Sequence, residues 1–101
     1  MSEKFSKFVK DTFKYDFHQY NLLYLSNGLG GEVGELQNEI KKMYRNLHNG
    51  SNKMPDKIDE IKLELGDILW YIHAIVNQLN LNIEDIYKIN MDKNTSNLLN
   101  R

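Results

Sequence analysis

Residues 56–79, DKIDEIKLELGDILWYIHAIVNQL, decide the fold because their apolar side chains recur every three or four positions. This spacing places apolar side chains along one side of an α-helix. The stripe consists of Ile61, Leu65, Ile68, Ile72, Ile75 and Leu79, whereas Leu63, Trp70 and Ala74 lie on another side. A helix that is apolar on two sides needs two neighbours, so this segment predicts a central helix in a bundle or dimer.

The segment before it has the same helical spacing. Residues 20–47 predict a second helix with one apolar stripe, formed by Leu29, Val33, Leu36, Ile40, Met43 and Leu47. A short amphipathic stretch with Phe5, Phe8, Val9 and Phe13 predicts a first helix that ends near Asp16 or His18. No run of residues alternates with period two for long enough to form a sheet. The fold class is therefore all-α.

A fourth helix is predicted after residue 82. Asn82 is suited to cap it, and Asp85 follows three positions later, as in a capping box. One face of this helix carries Ile83, Ile86, Tyr87 and Asn90. A chain of this length buries about 65% of its unfolded surface on folding, which gives only a thin core. We therefore expect a four-helix bundle-like protomer that is completed by dimerisation.

One domain accounts for the whole chain, 1–101, with a core at about 20–93. Residues 48–55, HNGSNKMP, contain the only Pro and predict a loop, and Pro55 suits the first turn of the third helix. The polar residues 94–101 predict a flexible, frayed tail.

Composition excludes several classes of function. The 101 residues contain no Cys and carry a net charge of −1. Disulfide frameworks, zinc knuckles and thiol nucleophiles are excluded, and no overall charge attracts nucleic acid or anionic lipid. Neither a secretory leader nor a stretch of about 18 apolar residues is found. We expect an intracellular, cytoplasmic protein whose partners include neither a nucleic acid polymer nor a membrane.

Two pairs of carboxylates border the apolar stripes of the second and third helices. Glu32 and Glu35 lie three residues apart on one helix, as do Glu64 and Asp67 on the other. If the stripes pack together, the four carboxylates converge, and their repulsion calls for a cation. Oxygen ligands without His or Cys indicate Mg²⁺ or Mn²⁺. The alternative is two solvated helix faces.

Four glycines, Gly28, Gly30, Gly31 and Gly34, accompany the first carboxylate pair. Either another group approaches this helix closely, or the helix begins later and the first glycines belong to a loop.

Several other polar and aromatic side chains are suited to a nucleotide. Lys42 and Arg45 are placed to meet a metal-bound polyphosphate, or they pair with acids such as Glu39 on the surface. Asn90 interrupts an apolar stripe and needs a partner, with Lys93 one turn further on. Tyr24, Trp70 and Tyr71 either stack on a base or belong to the core.

The segments GLGGEVGELQNEIKKMYR and ELGDILWYIHAIVNQLNLNIEDIYKINMDK resemble the MazG-like nucleotide pyrophosphohydrolases of the all-α NTP pyrophosphatase superfamily. The resemblance covers residues 23–93. It implies Mg²⁺-dependent hydrolysis of nucleoside triphosphates to monophosphate and pyrophosphate, in a homodimer or homotetramer. By the same resemblance, Glu32, Glu35, Glu64 and Asp67 are metal-binding and catalytic, and the phosphate-binding positions are Lys42, Arg45, Asn90 and Lys93.

The sequence departs from the family pattern in three places. Gly31 precedes Glu32 where some branches have a second acid, and the loop between the two motifs is long. Asn97 stands where the closing pattern usually has an Arg, and Arg101 follows a turn later. Two alternatives remain open, a dUTPase-like or phosphoribosyl-ATP pyrophosphohydrolase-like activity and a non-catalytic helical interaction module.

Overall fold

A computed structural model describes residues 1–14, 16, 18–48 and 54–99 of the chain. They form four α-helices: α1 (Ser2–Thr12), α2 (Asn21–His48), α3 (Met54–Gln78) and α4 (Ile83–Leu99). A single 3-10 turn, His18–Tyr20, leads into α2. No strand occurs among these residues. The all-α, bundle-like fold class predicted from the sequence is confirmed.

Helices α2 and α3 form the main packed pair, and they run antiparallel. Residues that come later along α3 contact residues that come earlier along α2. Lys57 donates a hydrogen bond to Glu39 at 3.1 Å, an oxygen of Glu64 lies within 4.8 Å of an oxygen of Glu32, and Tyr71 lies against Gly28. This register brings the middle of α2, which carries the first carboxylate pair, to the middle of α3.

Helix α1 packs on the C-terminal half of α3 and completes a small core. Val9, Leu25 and Ala74 are buried there, with Trp70 and Tyr71 packed against them. Three elements each contribute one of the buried side chains, so the core ties α1 to the α2–α3 pair.

The one buried polar side chain among the described residues is His73 of α3. Its Nδ1 shares a hydrogen bond of 2.7 Å with Ser6 Oγ of α1, and its ring meets Phe5 edge to face at 4.8 Å. Burial lowers the pKa of His73, which favours the neutral ring. His73 therefore fastens α1 to α3.

The first helix ends earlier than the sequence predicts. It stops at Thr12 rather than near Asp16 or His18, and Phe13 adopts an extended backbone with φ −80° and ψ 98°. Thr12 Oγ1 donates to the carbonyls of Phe8 at 2.8 Å and Val9 at 3.2 Å, and the N–H of Phe13 also donates to the Val9 carbonyl, at 3.0 Å. Tyr15 and Phe17 lie outside the described residues.

Two predictions from the sequence concern the start and the end of α4. Asn82 caps α4 as predicted, because its Oδ1 accepts a hydrogen bond from the Glu84 N–H at 2.8 Å. Helix α4 then continues past Lys93 to Leu99, so residues 94–99 of the predicted flexible tail are helical. Residues 100 and 101 lie outside the described part.

The predicted loop, 48–55, falls partly outside the described residues. His48 ends α2, and Met54 and Pro55 begin α3, which places Pro55 in the first turn as predicted. Residues 49–53 are not described.

The α3–α4 turn is closed by a left-handed residue, Asn80, with φ 55°. The N–H of Leu81 donates to the carbonyl of Val76, and that of Asn80 to Asn77. These two bonds form a Schellman motif, which ends α3 and redirects the chain.

The protomer is less compact than is usual for a chain of its length. Its radius of gyration is 17.1 Å, whereas about 13 Å is typical of 101 residues. Ile83 is buried at the start of α4, but Ile86 and Tyr87 are 40% and 41% exposed. Among residues 83–97 of α4, whose exposure is described, only Ile83 is thus buried within the protomer.

Candidate active site

The packing of α2 on α3 brings together three of the four predicted carboxylates. Single oxygen atoms of Glu32, Glu64 and Asp67 all lie within 4.8 Å of one another. Glu32 and Glu64 are half-buried, and Asp67 is exposed. Glu35, the fourth, is exposed on α2 and lies outside this group, although its charge acts on Glu64. We call Glu32, Glu64 and Asp67 the acidic cluster.

Glu64 bears the electrostatic cost of the acidic cluster. Its Oε2 is buried without a hydrogen-bond partner, the only such side-chain atom in the described part of the chain. The pKa of Glu64 is raised, first by burial and then by the hydrogen bond and charge of Glu32 and the charges of Asp67 and Glu35. A buried acceptor among like charges is unfavourable unless a cation or proton compensates it. The donor set therefore fits a hard divalent cation.

An aromatic cavity of about 380 Å³ adjoins the acidic cluster. Its walls are Thr12, Phe13, Tyr24, Trp70 and Tyr71, and Glu32 and Asp67 lie on its lining as well. The volume lies within the range of about 300 to 1,000 Å³ that is usual for small-molecule sites. Burial, followed by the charges of Tyr24, Glu32 and Asp67, raises the pKa of Tyr71. Carboxylates and aromatic rings thus share one cavity.

The glycines of α2 divide into two groups. All four lie inside the helix, so the alternative of a later helix start is wrong. A Cβ atom at Gly28 would overlap the ring of Tyr71, whereas one at Gly30, Gly31 or Gly34 would meet nothing within 4 Å. Gly28 is required for the close approach of Tyr71, a wall of the aromatic cavity.

The predicted phosphate-binding residues of α2 lie outside the aromatic cavity. Lys42 Nζ forms an ion pair with Glu39 at 3.5 Å, and Lys57 of α3 reaches the same carboxylate at 3.1 Å. The Lys57 hydrogen bond lowers the pKa of Glu39, against the opposing effect of burial. Lys42 thus takes the surface pairing that the sequence left open, and Arg45 is exposed near the end of α2.

The predicted residues of α4 are also exposed. Asn94 Nδ2 donates to the Oδ1 and to the carbonyl oxygen of Asn90, both at 3.0 Å, so the partner of Asn90 is on its own helix. Lys93 is exposed one turn further on. Neither residue lines the aromatic cavity of this protomer.

Sequence reasoning missed Thr12 and Phe13 as parts of the site. Trp70 Nε1 donates to Thr12 Oγ1 at 2.9 Å, and the Phe13 ring lies 6.0 Å from that of Trp70. The sequence pattern places Phe13 on the apolar face of a longer first helix. The early end of α1 placed it in the cavity wall, and no sequence signal marked that end.

Residues 20–97 match the MazG nucleotide pyrophosphohydrolase domain. The chain belongs to this family. The Gene 37 protein of Mycobacterium phage L5 is 33% identical over 72 residues, 71% of this chain and 61% of that protein. The chain therefore spans less than two thirds of the length of this relative. No solved structure matches the chain.

The MazG match contains the acidic cluster and every phosphate-binding residue that the resemblance implied. It begins after α1, so Thr12 and Phe13 lie outside it. No helix in the described ranges has the length and apolar character needed to span a bilayer.

Proposed function

We propose that this protein is a Mg²⁺-dependent nucleoside triphosphate pyrophosphohydrolase, converting (d)NTP to (d)NMP and pyrophosphate. The observation that carries the proposal is the acidic cluster of a MazG domain, with the unpartnered Oε2 of Glu64, at the edge of an aromatic cavity. Such an activity removes unwanted nucleotides from the cytoplasmic pool and needs neither a nucleic acid polymer nor a membrane.

In this proposal Glu32, Glu64 and Asp67 hold the metal, and Glu35 either joins them or accepts a proton from water. A bound Mg²⁺ neutralises phosphate charge and lowers the pKa of a coordinated water, and Mn²⁺ is a suitable substitute. The carboxylates orient the attacking water toward the α-phosphate and take up its proton. Phosphoryl transfer depends mainly on such alignment and charge, so no covalent nucleophile is required.

Lys42, Arg45, Asn90 and Lys93 are proposed to contact the phosphates. Lys42 is held by Glu39 near the carboxylate side of α2, and a polyphosphate competes with Glu39 for it. Asn90 and Lys93 lie on the exposed part of α4, where they are accessible to a neighbouring protomer's cavity.

A homodimer or homotetramer is part of the proposal. A stripe of α3 remains 37% to 49% exposed, formed by Ile58, Leu65, Leu69 and Ile72, and Leu79, directly after the helix, is 46% exposed. On α2, Val33, Ile40 and Leu47 are 37% to 43% exposed. The accessible surface is 7996 Å², about 2,000 Å² more than a compact chain of this mass exposes. An excess of that size is sufficient for an obligate interface.

Light scattering after size exclusion is expected to give a mass of two or four times 11.9 kDa. Leu69→Lys introduces a charge into the exposed α3 stripe and is expected to reduce the mass toward that of the protomer. The matched control is Leu63→Lys, at a 66% exposed position on another side of the same helix. A wild-type protein of protomer mass would contradict the oligomer proposal.

Pyrophosphate release from a panel of NTPs and dNTPs tests the activity. We expect turnover with millimolar Mg²⁺, none with EDTA, and nucleoside monophosphate as the second product. A strong preference for dUTP, or turnover of phosphoribosyl-ATP, would identify one of the alternative activities. Absence of turnover across the panel, together with no effect of Mg²⁺ on the melting temperature, would favour the non-catalytic module.

A further inference from the structure

Two walls of the aromatic cavity come from outside the MazG match. Thr12 is the last residue of α1 and Phe13 directly follows it, whereas the match begins at residue 20. The remaining aromatic walls, Tyr24, Trp70 and Tyr71, belong to the domain itself. The N-terminal helix thus adds to a site whose carboxylates lie on α2 and α3.

Tertiary contacts along α1 hold these two walls in place. Ser6 provides two of the contacts, because its Oγ bonds to His73 Nδ1 at 2.7 Å and its carbonyl accepts from Asn77 Nδ2 at 3.0 Å. Val9, which follows Ser6 by one helical turn, is only 1% exposed. Thr12 then accepts from Trp70 Nε1 at 2.9 Å. Phe13 directly follows this last contact, so its position is defined by the docked helix.

The cavity offers ring surface more than free polar groups on the α1 side. Trp70 Nε1 is occupied by Thr12, whose hydroxyl in turn donates to backbone carbonyls of α1. Phe13 is tilted by 47° to Trp70 and by 49° to Tyr24, so neither ring lies flat on its face. Aromatic rings that line a cavity beside the acidic cluster suit a flat aromatic group that carries phosphates.

We propose that Phe13 is a specificity-determining residue that stacks on the base of the nucleotide. Thr12 is a positioning residue, which acts by holding the Trp70 ring. This inference rests on the function proposed above and assigns base recognition to the helix outside the MazG match.

Trp70 is the only Trp of the chain, so its fluorescence reports on the cavity directly. The probe is a nucleoside triphosphate analogue with a methylene bridge between the α- and β-phosphates, added with Mg²⁺, and inorganic tripolyphosphate is the probe without a base. We expect the analogue to change the Trp70 emission and tripolyphosphate to leave it nearly unchanged. Equal responses to both probes would overturn base binding in this cavity.

Calorimetry separates the contribution of Phe13. Phe13→Ala is expected to raise the Kd of the analogue about tenfold, a usual loss for one base stack, without changing the Kd of tripolyphosphate. Phe13→Leu, which keeps apolar volume but lacks the ring, is expected to behave similarly. Phe8→Ala is the matched control, because Phe8 is 53% exposed on α1 and does not line the cavity.

Substitutions of Thr12 test its positioning role through the Trp70 emission and the binding of the analogue. Thr12→Val is expected to shift the Trp70 emission and weaken binding of the analogue, and Thr12→Ser is expected to restore both. Unchanged analogue binding in Phe13→Ala and Phe13→Leu, in a wild-type protein that hydrolyses nucleotides, would overturn this inference alone. Failure of the wild type to bind either probe or to hydrolyse any nucleotide would overturn the proposed function with it.

Discussion

Replacement of Glu64 by Gln is expected to raise the melting temperature of the metal-free protein while lowering nucleotide hydrolysis by more than about a hundredfold. Changing only the partners of metal ligands commonly costs roughly 10- to 100-fold in activity, and Glu64 is proposed as a ligand itself. The opposite directions of the two effects make this substitution a sharp test of the acidic cluster.

The stabilisation follows from the charges around Glu64. Its pKa is raised by burial and by neighbouring carboxylates, so the folded protein binds its proton more tightly than the unfolded chain does. The ionised group therefore reduces the free energy of unfolding as the pH rises through the unfolded pKa toward the folded one, and the full cost is present above both. Gln has nearly the same shape, carries no charge, and offers an N–H to the neighbouring Glu32.

Addition of Mg²⁺ distinguishes an acidic cluster that binds metal from one in which the carboxylates only repel one another. At a hundredfold excess over Kd, a ligand of the folded state adds about 2.7 kcal/mol, which raises the melting temperature of a domain of this size by roughly 10 to 20 °C. We expect Mg²⁺ to stabilise the wild type and to have little effect on Glu64→Gln.

Glu60→Gln is the matched control, because Glu60 is exposed one turn earlier on α3. It is expected to change neither turnover nor the response to Mg²⁺. Helical circular dichroism should be the same in all three proteins. Turnover of Glu64→Gln within about tenfold of the wild type would show that the site assignment is wrong.

Gly28→Ala is expected to lower the free energy of unfolding by about 2 kcal/mol, or roughly 8 to 16 °C in melting temperature. The new methyl group would overlap the Tyr71 ring, which also meets Trp70 edge to face at 5.0 Å. Tyr71 must therefore move or α2 must separate from α3. Displacement of this cavity wall is expected to weaken nucleotide binding as well.

Gly30→Ala provides the contrast, because its Cβ would lie in open space on the same helix. There Ala is expected to stabilise the protein by about 0.5 to 1 kcal/mol through its higher helix propensity. In a Tyr71→Leu background, Gly28→Ala is expected to cost less than in the wild type, since residues in contact do not act additively. Equal effects of Gly28→Ala and Gly30→Ala in thermal denaturation would contradict the close approach of Tyr71.

The helices could be predicted because their signals are local. The apolar spacing that predicted helix at residues 20–47 and about 56–79 corresponds to α2 and α3 within a few residues, and the cap at Asn82 is confirmed. The first helix was predicted too long because its end depends on Thr12 and Phe13 contacting Trp70, which is far away in sequence. Such contacts leave no periodic pattern in the chain.

The sequence by itself determined the helical class, the MazG membership and the helix face on which each carboxylate lies, since each follows from spacing along one helix or from an ordered motif. Only the tertiary structure decided that Glu35 lies outside the acidic cluster, that Lys42 pairs with Glu39, and that Phe13 enters the cavity. Helical periodicity defines the face on which a side chain lies. The antiparallel register of α2 and α3 and the docking of α1 define what that face meets, because they depend on contacts between residues far apart in the chain.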